Sequence, residues 1–319
     1  MKIKGSLPGG NLEVNSSNSL ELIGLGSESD PLFTGIFAFV FPEATGDGGS
    51  LEINTSSLLV SNVAQIGTQT EGEGNSGDIT IKATDSVTLT DDVSNINFPS
   101  TILSLVEPGG TGNGGNVLIE TSELTISNNA QVGTVTSGQG NTGDTIIRAS
   151  EFVEINKEIK IPDDPPNGLF AQVDSNEGDG GNLTVETEKL SLKGAGSRIS
   201  ASTFGNGNAG NITLKVKEFF VENGAELQAI AFYESGDAGN ITIEASELVQ
   251  IEGIFDQNNT DGILGEYGGI FASAIGGTGN GGNLDITTDK LVVQDFGTIS
   301  VSNFQTLNSI PPGKGAAGS

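Results

Sequence analysis

The sequence predicts an all-β fold: a parallel β-helix, a solenoid of short strands wound into stacked coils. Three observations carry this. A Gly-Asx step recurs down the whole length, each time followed by alternating apolar residues. Each repeat holds three short apolar stretches separated by Gly, Asn or Asp. Variation in repeat length is confined to one gap within the unit.

The anchor steps are Gly10-Asn11, Gly49-Ser50, Gly77-Asp78, Gly115-Asn116, Gly143-Asp144, Gly181-Asn182, Gly210-Asn211, Gly239-Asn240 and Gly282-Asn283. They stand 39, 28, 38, 28, 38, 29, 29 and 43 residues apart. In the seventh unit the apolar stretches are Ile212-Thr213-Leu214, Phe219-Phe220-Val221 and Leu227-Gln228-Ala229-Ile230. Each alternates with period two, the signature of a half-buried strand, and no segment carries a capped helical stripe. About nine coils, each advancing ~4.8 Å, make a rod roughly 45 Å long. The gap between the second and third stretches is 6 residues from Ile126 to Val132, but 14 from Leu89 to Leu103, 15 from Ile155 to Phe170 and 20 from Ile251 to Phe271. Units one, three, five and eight therefore carry extra loops, all at one corner, where insertions project from one edge of the rod.

Composition narrows the function classes. The 319 residues carry 13 Lys plus Arg against 41 Asp plus Glu, a net charge of -28. Such a surface repels nucleic acid and anionic lipid, so neither is expected as a partner. There is no Cys, His or Trp. Disulfides and thiolate metal sites are excluded, and the commonest general base is lacking. No apolar run is long enough to span a membrane. The first residues show no apolar leader region, so no signal peptide is expected. Residues 1–319 are read as one β-helix domain. Gly315-Ala316-Ala317-Gly318-Ser319 repeats the phase of an anchor without a cap, so a fragment of a longer protein is expected.

The segments Gly-Asn-Ala-Gly-Asn-Ile-Thr-Leu at 207–214 and Gly-Asp-Ala-Gly-Asn-Ile-Thr-Ile at 236–243 resemble the passenger repeats of filamentous-haemagglutinin-like exoproteins, especially those common in cyanobacteria. So do Ser246-Glu247-Leu248 and Arg198-Ile199-Ser200-Ala201-Ser202-Thr203. The resemblance covers essentially the whole chain and is clearest over 181–300. It implies a right-handed coil, in line with the general bias of parallel crossovers. It further implies two-partner secretion through an outer-membrane transporter and a place at the cell surface or in the medium. The Asn-Pro-containing motifs of the family's secretion domain do not occur here.

Each candidate site has a structural reading beside the functional one. The anchor column of Asn, Asp and Ser reads as a stacked polar ladder rather than a row of ligands. The glycine pairs Gly48-Gly49, Gly114-Gly115, Gly180-Gly181 and Gly281-Gly282 are followed by strands, so they lack the helix that a phosphate loop needs. Asp91-Asp92, Asp163-Asp164, Asp256 and Asp261 fall in the long corners, where weak calcium binding is a hypothesis. The alternative is that they are solvated charges. Phe37, Phe170 and Phe271 align with Ile66, Val132, Ile199 and Leu227 and are expected in the core rather than as sugar platforms. No catalytic or cofactor-binding residue is assigned, and metal ligands are left open.

The leading reading is a non-catalytic extracellular or surface rod, structural or adhesive, with cell-surface glycans or proteins as its partners. One alternative is a polysaccharide-active β-helix enzyme, which needs two carboxylates across a groove. Another is a surface-layer component assembled by calcium.

Overall fold

The computed structural model describes residues 7–25, 34–91, 98–157, 165–175, 177–233, 235–253 and 268–304. Among them there are 21 strands and no helix. The strands form two parallel sheets of 11 and 10 members. In the first sheet, Leu51–Ser61, Ile79–Thr90, Val117–Ser127 and Thr145–Asn156 are successive neighbours, and Ile212–Glu222, Ile241–Glu252 and Leu284–Gln294 continue the series. In the second, Gly35–Val40, Gln65–Thr70, Thr101–Val106, Gln131–Thr136 and Asn167–Val173 follow one another in the same way. The chain passes back and forth between the two sheets, with Leu12–Asn15 and Ser19–Ile23, Leu183–Glu186 and Lys189–Lys193, and Glu226–Gln228 and Ala231–Phe232 each sharing a sheet, so each turn of the backbone lies on the one before. This is a stacked parallel β architecture of the β-helix type.

The first two apolar stretches of a unit prove to be one long strand with a bend. Ile212–Glu222 pairs with Ile241–Glu252 throughout, and the register steps between Val216 and Glu218. Similar steps fall at Thr55/Ser57 and Ala149/Phe152. A bulge bends a strand without ending its ladder, which is why no Gly or Pro marks this corner in sequence. The bend column is small and buried: Thr55 pairs with Ala83, and Ala245 stands across from Val216. Thr55 and Thr121 also donate Oγ1 hydrogen bonds to the carbonyls of Ser57 and Glu123 across the bend.

The short corner between the sheets has a different solution. Asn62-Val63, Asn128-Asn129 and Asn223-Gly224 all adopt left-handed dihedrals in succession, with φ of 55° and 70°, 52° and 75°, and 55° and 81°. Asn tolerates this conformation better than most residues, and Gly does so without strain. An invariably small residue then turns inward: Ala64, Ala130 and Ala225 are fully buried. The longer units depart from the two-residue turn at this same corner.

Inside, side chains stack in columns along the axis. Ile53, Ile81, Ile119 and Ile147 form one, continued by Val185, Leu214 and Ile243. All seven have no exposed surface. On the second sheet the inward column is Ile36, Ile66, Ile102, Val132, Leu169, Ile199, Leu227 and Ile270.

That column corrects the expectation for the phenylalanines. Phe37 pairs with Gly67, Phe170 with Gly133 and Ser200, and Phe271 with Gln228. They lie one residue out of phase with the core column and so stand on the outer face, because a one-residue step in a strand reverses the side. Phe170 and Phe271 are still buried there, at 4% and 2% exposed, whereas Phe37 is 38% exposed. Leu103, matched to the core by the same reasoning, also pairs with Gly67 and faces outward.

The outer face of the first sheet carries a cross-strand column of alternating charge. Lys82, Glu120, Arg148, Glu186, Lys215 and Glu244 are consecutive partners. Arg148 lies 3.2 Å from Glu120 and 3.3 Å from Glu186. These pairs are half exposed and each contributes little.

Truncating the core and the charge column should separate in magnitude. Ile119→Ala is expected to destabilise by about 2–5 kcal/mol. Arg148→Ala should cost no more than ~1 kcal/mol. Urea unfolding monitored by circular dichroism measures both, and equal losses would contradict the assignment of stability to the interior columns.

Candidate functional site

The anchor residues occupy the corner that closes each turn, and they form a continuous ladder. The Asn240 N–H donates to Asn211 Oδ1 at 2.9 Å, and the Asn211 N–H to Asn182 Oδ1 at 3.1 Å. The same bond runs from Asn182 to Asp144, Asp144 to Asn116 and Asn116 to Asp78, at 2.8, 2.9 and 2.7 Å. Side-chain oxygens thus satisfy the backbone amides of the next turn.

A second ladder, missed in the sequence reading, runs three residues upstream. It comprises Asp47, Asn75, Asn113, Asn141, Asp179, Asn208, Asp237 and Asn280. From Asn75 onward, each backbone N–H donates to the side-chain Oδ1 one turn earlier, at 2.6–3.0 Å. The signal was available: every anchor step after Gly10-Asn11 is preceded at a distance of three by a Gly-Asx, as in Gly207-Asn208-Ala209-Gly210-Asn211. The glycines are demanded by close approach. A β-carbon on Gly210 would collide with the carbonyl oxygen of Gly181, and one on Gly140 with that of Gly112. The corner is a structural seam, and its polar atoms point along the rod.

The acidic loop residues divide. Asp92, Asp163, Asp164, Asp256 and Asp261 lie outside the described residues. Asp91 is buried, with 5% of its surface exposed, and is not a solvated charge. Its Oδ1 accepts from Ser100 Oγ at 2.6 Å and the Val63 N–H at 3.0 Å, and its Oδ2 from the Ser100 N–H at 2.6 Å. These bonds hold together the two ends of a long corner. Burial raises the Asp91 carboxyl above its ordinary value of 3.8, against the opposing pull of the Ser100 and Val63 hydrogen bonds. Lys157 sits at the equivalent place two units on, donating to the Pro165 carbonyl at 2.7 Å. Among the described residues, no group of three or more Asp, Glu, His or Cys is placed to hold a metal ion.

The chemistry that remains is on the outer face of the second sheet. A groove of about 530 Å³ runs across the strands Gly35–Val40, Gln65–Thr70 and Thr101–Val106. Phe37, Phe39, Leu103 and Leu105 supply apolar surface, and Gln65, Gln69 and Gln131 supply amides. Glu71 and Glu107, each just past the end of one of two adjacent strands, line the same groove. Burial lifts the Glu107 carboxyl above the usual carboxylate range, and the negative Glu71 beside it adds to the lift. Gln69 Nε2 donates to Glu107 Oε1 at 2.5 Å.

Farther along the same face lies a cleft of about 370 Å³. The Phe204 and Phe232 rings stack there, with centroids 4.6 Å apart and planes within 6°. Ile230, Phe271 and Ile275 form a small apolar cluster separate from the main core. Arg198 Nε lies 2.8 Å from Oε2 of Glu226, whose side chain is 2% exposed. The face therefore pairs aromatic surface with amides and carboxylates, the combination that binds polar ligands having apolar faces.

In comparisons with protein-family models, curated proteins and solved structures, none matches this chain.

Two outcomes test the seam and the corner bond. Asn116→Asp would place three carboxylates in a row between Asp78 and Asp144. It should lower stability by roughly 1 kcal/mol at neutral pH and low salt, with recovery in high salt. Thermal unfolding at two ionic strengths measures this, and a salt-independent loss would refute the ladder account. Asp91→Ala should destabilise by about 1–3 kcal/mol. A raised folded-state pKa favours the folded form below it, so this contribution declines as pH rises upward from the ordinary 3.8. The wild-type advantage over Asp91→Ala should narrow as pH rises through the raised value. An advantage that widens over that range would contradict a carboxyl raised by burial.

Proposed function

We propose that this chain is a non-catalytic extracellular or cell-surface rod, structural and adhesive, of the filamentous-haemagglutinin-like kind. In this reading it winds right-handed through about nine coils, one for each anchor step. It leaves the cell through an outer-membrane transporter, and its partners are surface glycans or proteins. The observation that carries the reading is the contrast between the two outer faces. One is a ladder of paired charges, while the other presents Phe37, Phe39 and Phe204 with amides among them. The doubled Gly-Asx repeat supports the family assignment, and a net charge of -28 suits a rod that stays dispersed outside the cell.

A second reading is favoured by one observation. Glu71 and Glu107 are neighbours in a groove, and one carboxyl is raised, the pattern of an acid and its partner in glycoside hydrolysis. Release of reducing ends from polysaccharides by the purified protein would establish it and displace the non-catalytic reading. Calcium at the long corners is a third proposal, resting on the sequence positions of the Asp pairs. Titration calorimetry without heat at millimolar calcium would remove it.

The surface reading has its own test. Antibody against the protein should label intact source cells, and beads coated with the protein should adhere to them. Labelling found only after lysis, with no bead adhesion, would overturn it.

A further inference from the structure

We infer that the groove over Phe37 and Phe39 is a binding site for an uncharged polysaccharide lying along the rod axis. This rests on the surface-rod reading for its setting and on the groove for its chemistry.

The first argument is the posture of the aromatic ring. On the outer face, the column through Phe37 reads Phe37, Gly67, Leu103, Gly133, Phe170. Large and small side chains alternate from turn to turn. A β-carbon at Gly67 would lie 3.3 Å from Phe37 Cδ1 and 3.4 Å from Cε1. The far side of the ring, Cε2 and Cζ, lies over Gly35 of its own strand, and its Cδ1–Cε1 edge flanks Gly67 of the next, so the ring lies against the sheet. Phe37 is still 38% exposed. An aromatic ring lodged on backbone with surface left open is a platform for the C–H face of a sugar, by the burial and π-face attraction that favour such contacts.

The second argument is the distribution of polar groups. Gln65 and Gln131 stand two strands apart in one outer column, with Thr101 between them. Gln69 stands on the other side of the Phe37 column, beside Leu105. Each amide offers both a donor and an acceptor, which matches hydroxyls that are themselves both. Strands repeat every ~4.8 Å, a spacing close to one pyranose unit with its link. Like groups recur at every second strand, as with Gln65 and Gln131, so a linear polysaccharide running along the axis would meet a similar set once per two sugar units.

The third argument is charge. The groove contains Glu71 and Glu107 and, among the described residues, is lined by no Lys or Arg. The whole chain carries -28. Sulfated and uronate polymers are repelled by such a site, whereas uncharged ones are not. An apolar peptide is less suited, because it would press apolar surface on the Glu71 and Glu107 carboxyls and take their water away without replacing it.

The test is affinity electrophoresis of the purified protein in gels containing a soluble mixed-linkage β-glucan, a mannan, a dextran, heparin or polygalacturonate. Retardation is expected in at least one uncharged gel and in neither anionic gel. Phe37→Ala should weaken that retardation about tenfold, while Phe37→Trp should preserve it. Gly67→Leu, which crowds the Cδ1–Cε1 edge of the ring, should weaken it too. Circular dichroism of each variant checks that the fold is kept. Retardation only by the anionic polymers, by none of the five, or equally by wild type and a folded Phe37→Ala would overturn the inference. If Phe37→Ala loses polysaccharide binding but the protein is confined inside the cell, the groove stands and the surface reading fails. If beads adhere to cells and no uncharged polymer binds, the surface reading stands and the groove fails.

Discussion

At one corner of every turn, backbone passes over backbone with no room for a β-carbon, and the rest of the structure depends on that contact. The approach of Gly210 to Gly181 and of Gly140 to Gly112 brings successive turns close enough for the Asx oxygens to reach the next amide. It also sets the register for everything downstream. Since side chains alternate, an offset of a single residue at the seam would turn the isoleucine columns out to solvent. Two ladders three residues apart hold the corner at two points, which resists both sliding and pivoting.

An acidic chain must also keep its charges apart. In neither ladder does an Asp follow an Asp: Asp78 and Asp144 are separated by Asn116, and Asp179 and Asp237 by Asn208. The Nδ2 groups of Asn116 and Asn182 donate to the aspartate below at 3.1 and 3.2 Å. On the first sheet the few cations are placed between glutamates, as with Arg148 and Lys215. Parallel in-register stacking brings equivalent positions of the repeat together, so a repeat copied without variation at a charged position would repel itself. The departures from strict repetition at these positions relieve that repulsion.

Much of the fold was legible in the sequence because its period is written in glycine. The anchor spacing, the strand character and the corner that takes insertions could all be read directly. Two things could not. Gly35-Ile36-Phe37-Ala38 offers two adjacent apolar residues, and period two alone does not say which faces in; matching it to Gln65-Ile66-Gly67-Thr68 resolves the choice. The bend in the long strands left no turn residue to find, because a bulge performs it. The groove was hidden for the same reason as the phenylalanines: its parts come from separate turns, and Glu71 and Glu107 become neighbours only once the coils are stacked. Asp91 looked like one of a run of loop acids, and only its burial beside Ser100 distinguishes it.

The neighbours of each strand lie one turn away in the chain, never farther. The loop closed to add a turn is thus of similar length at every point along the rod, and so is its entropic penalty. Inserting or removing a whole Gly-Asx unit between two others leaves each survivor with the same kind of partner above and below. Reach is then a quantity that tandem duplication of a gene segment can adjust freely, without a new core having to be invented.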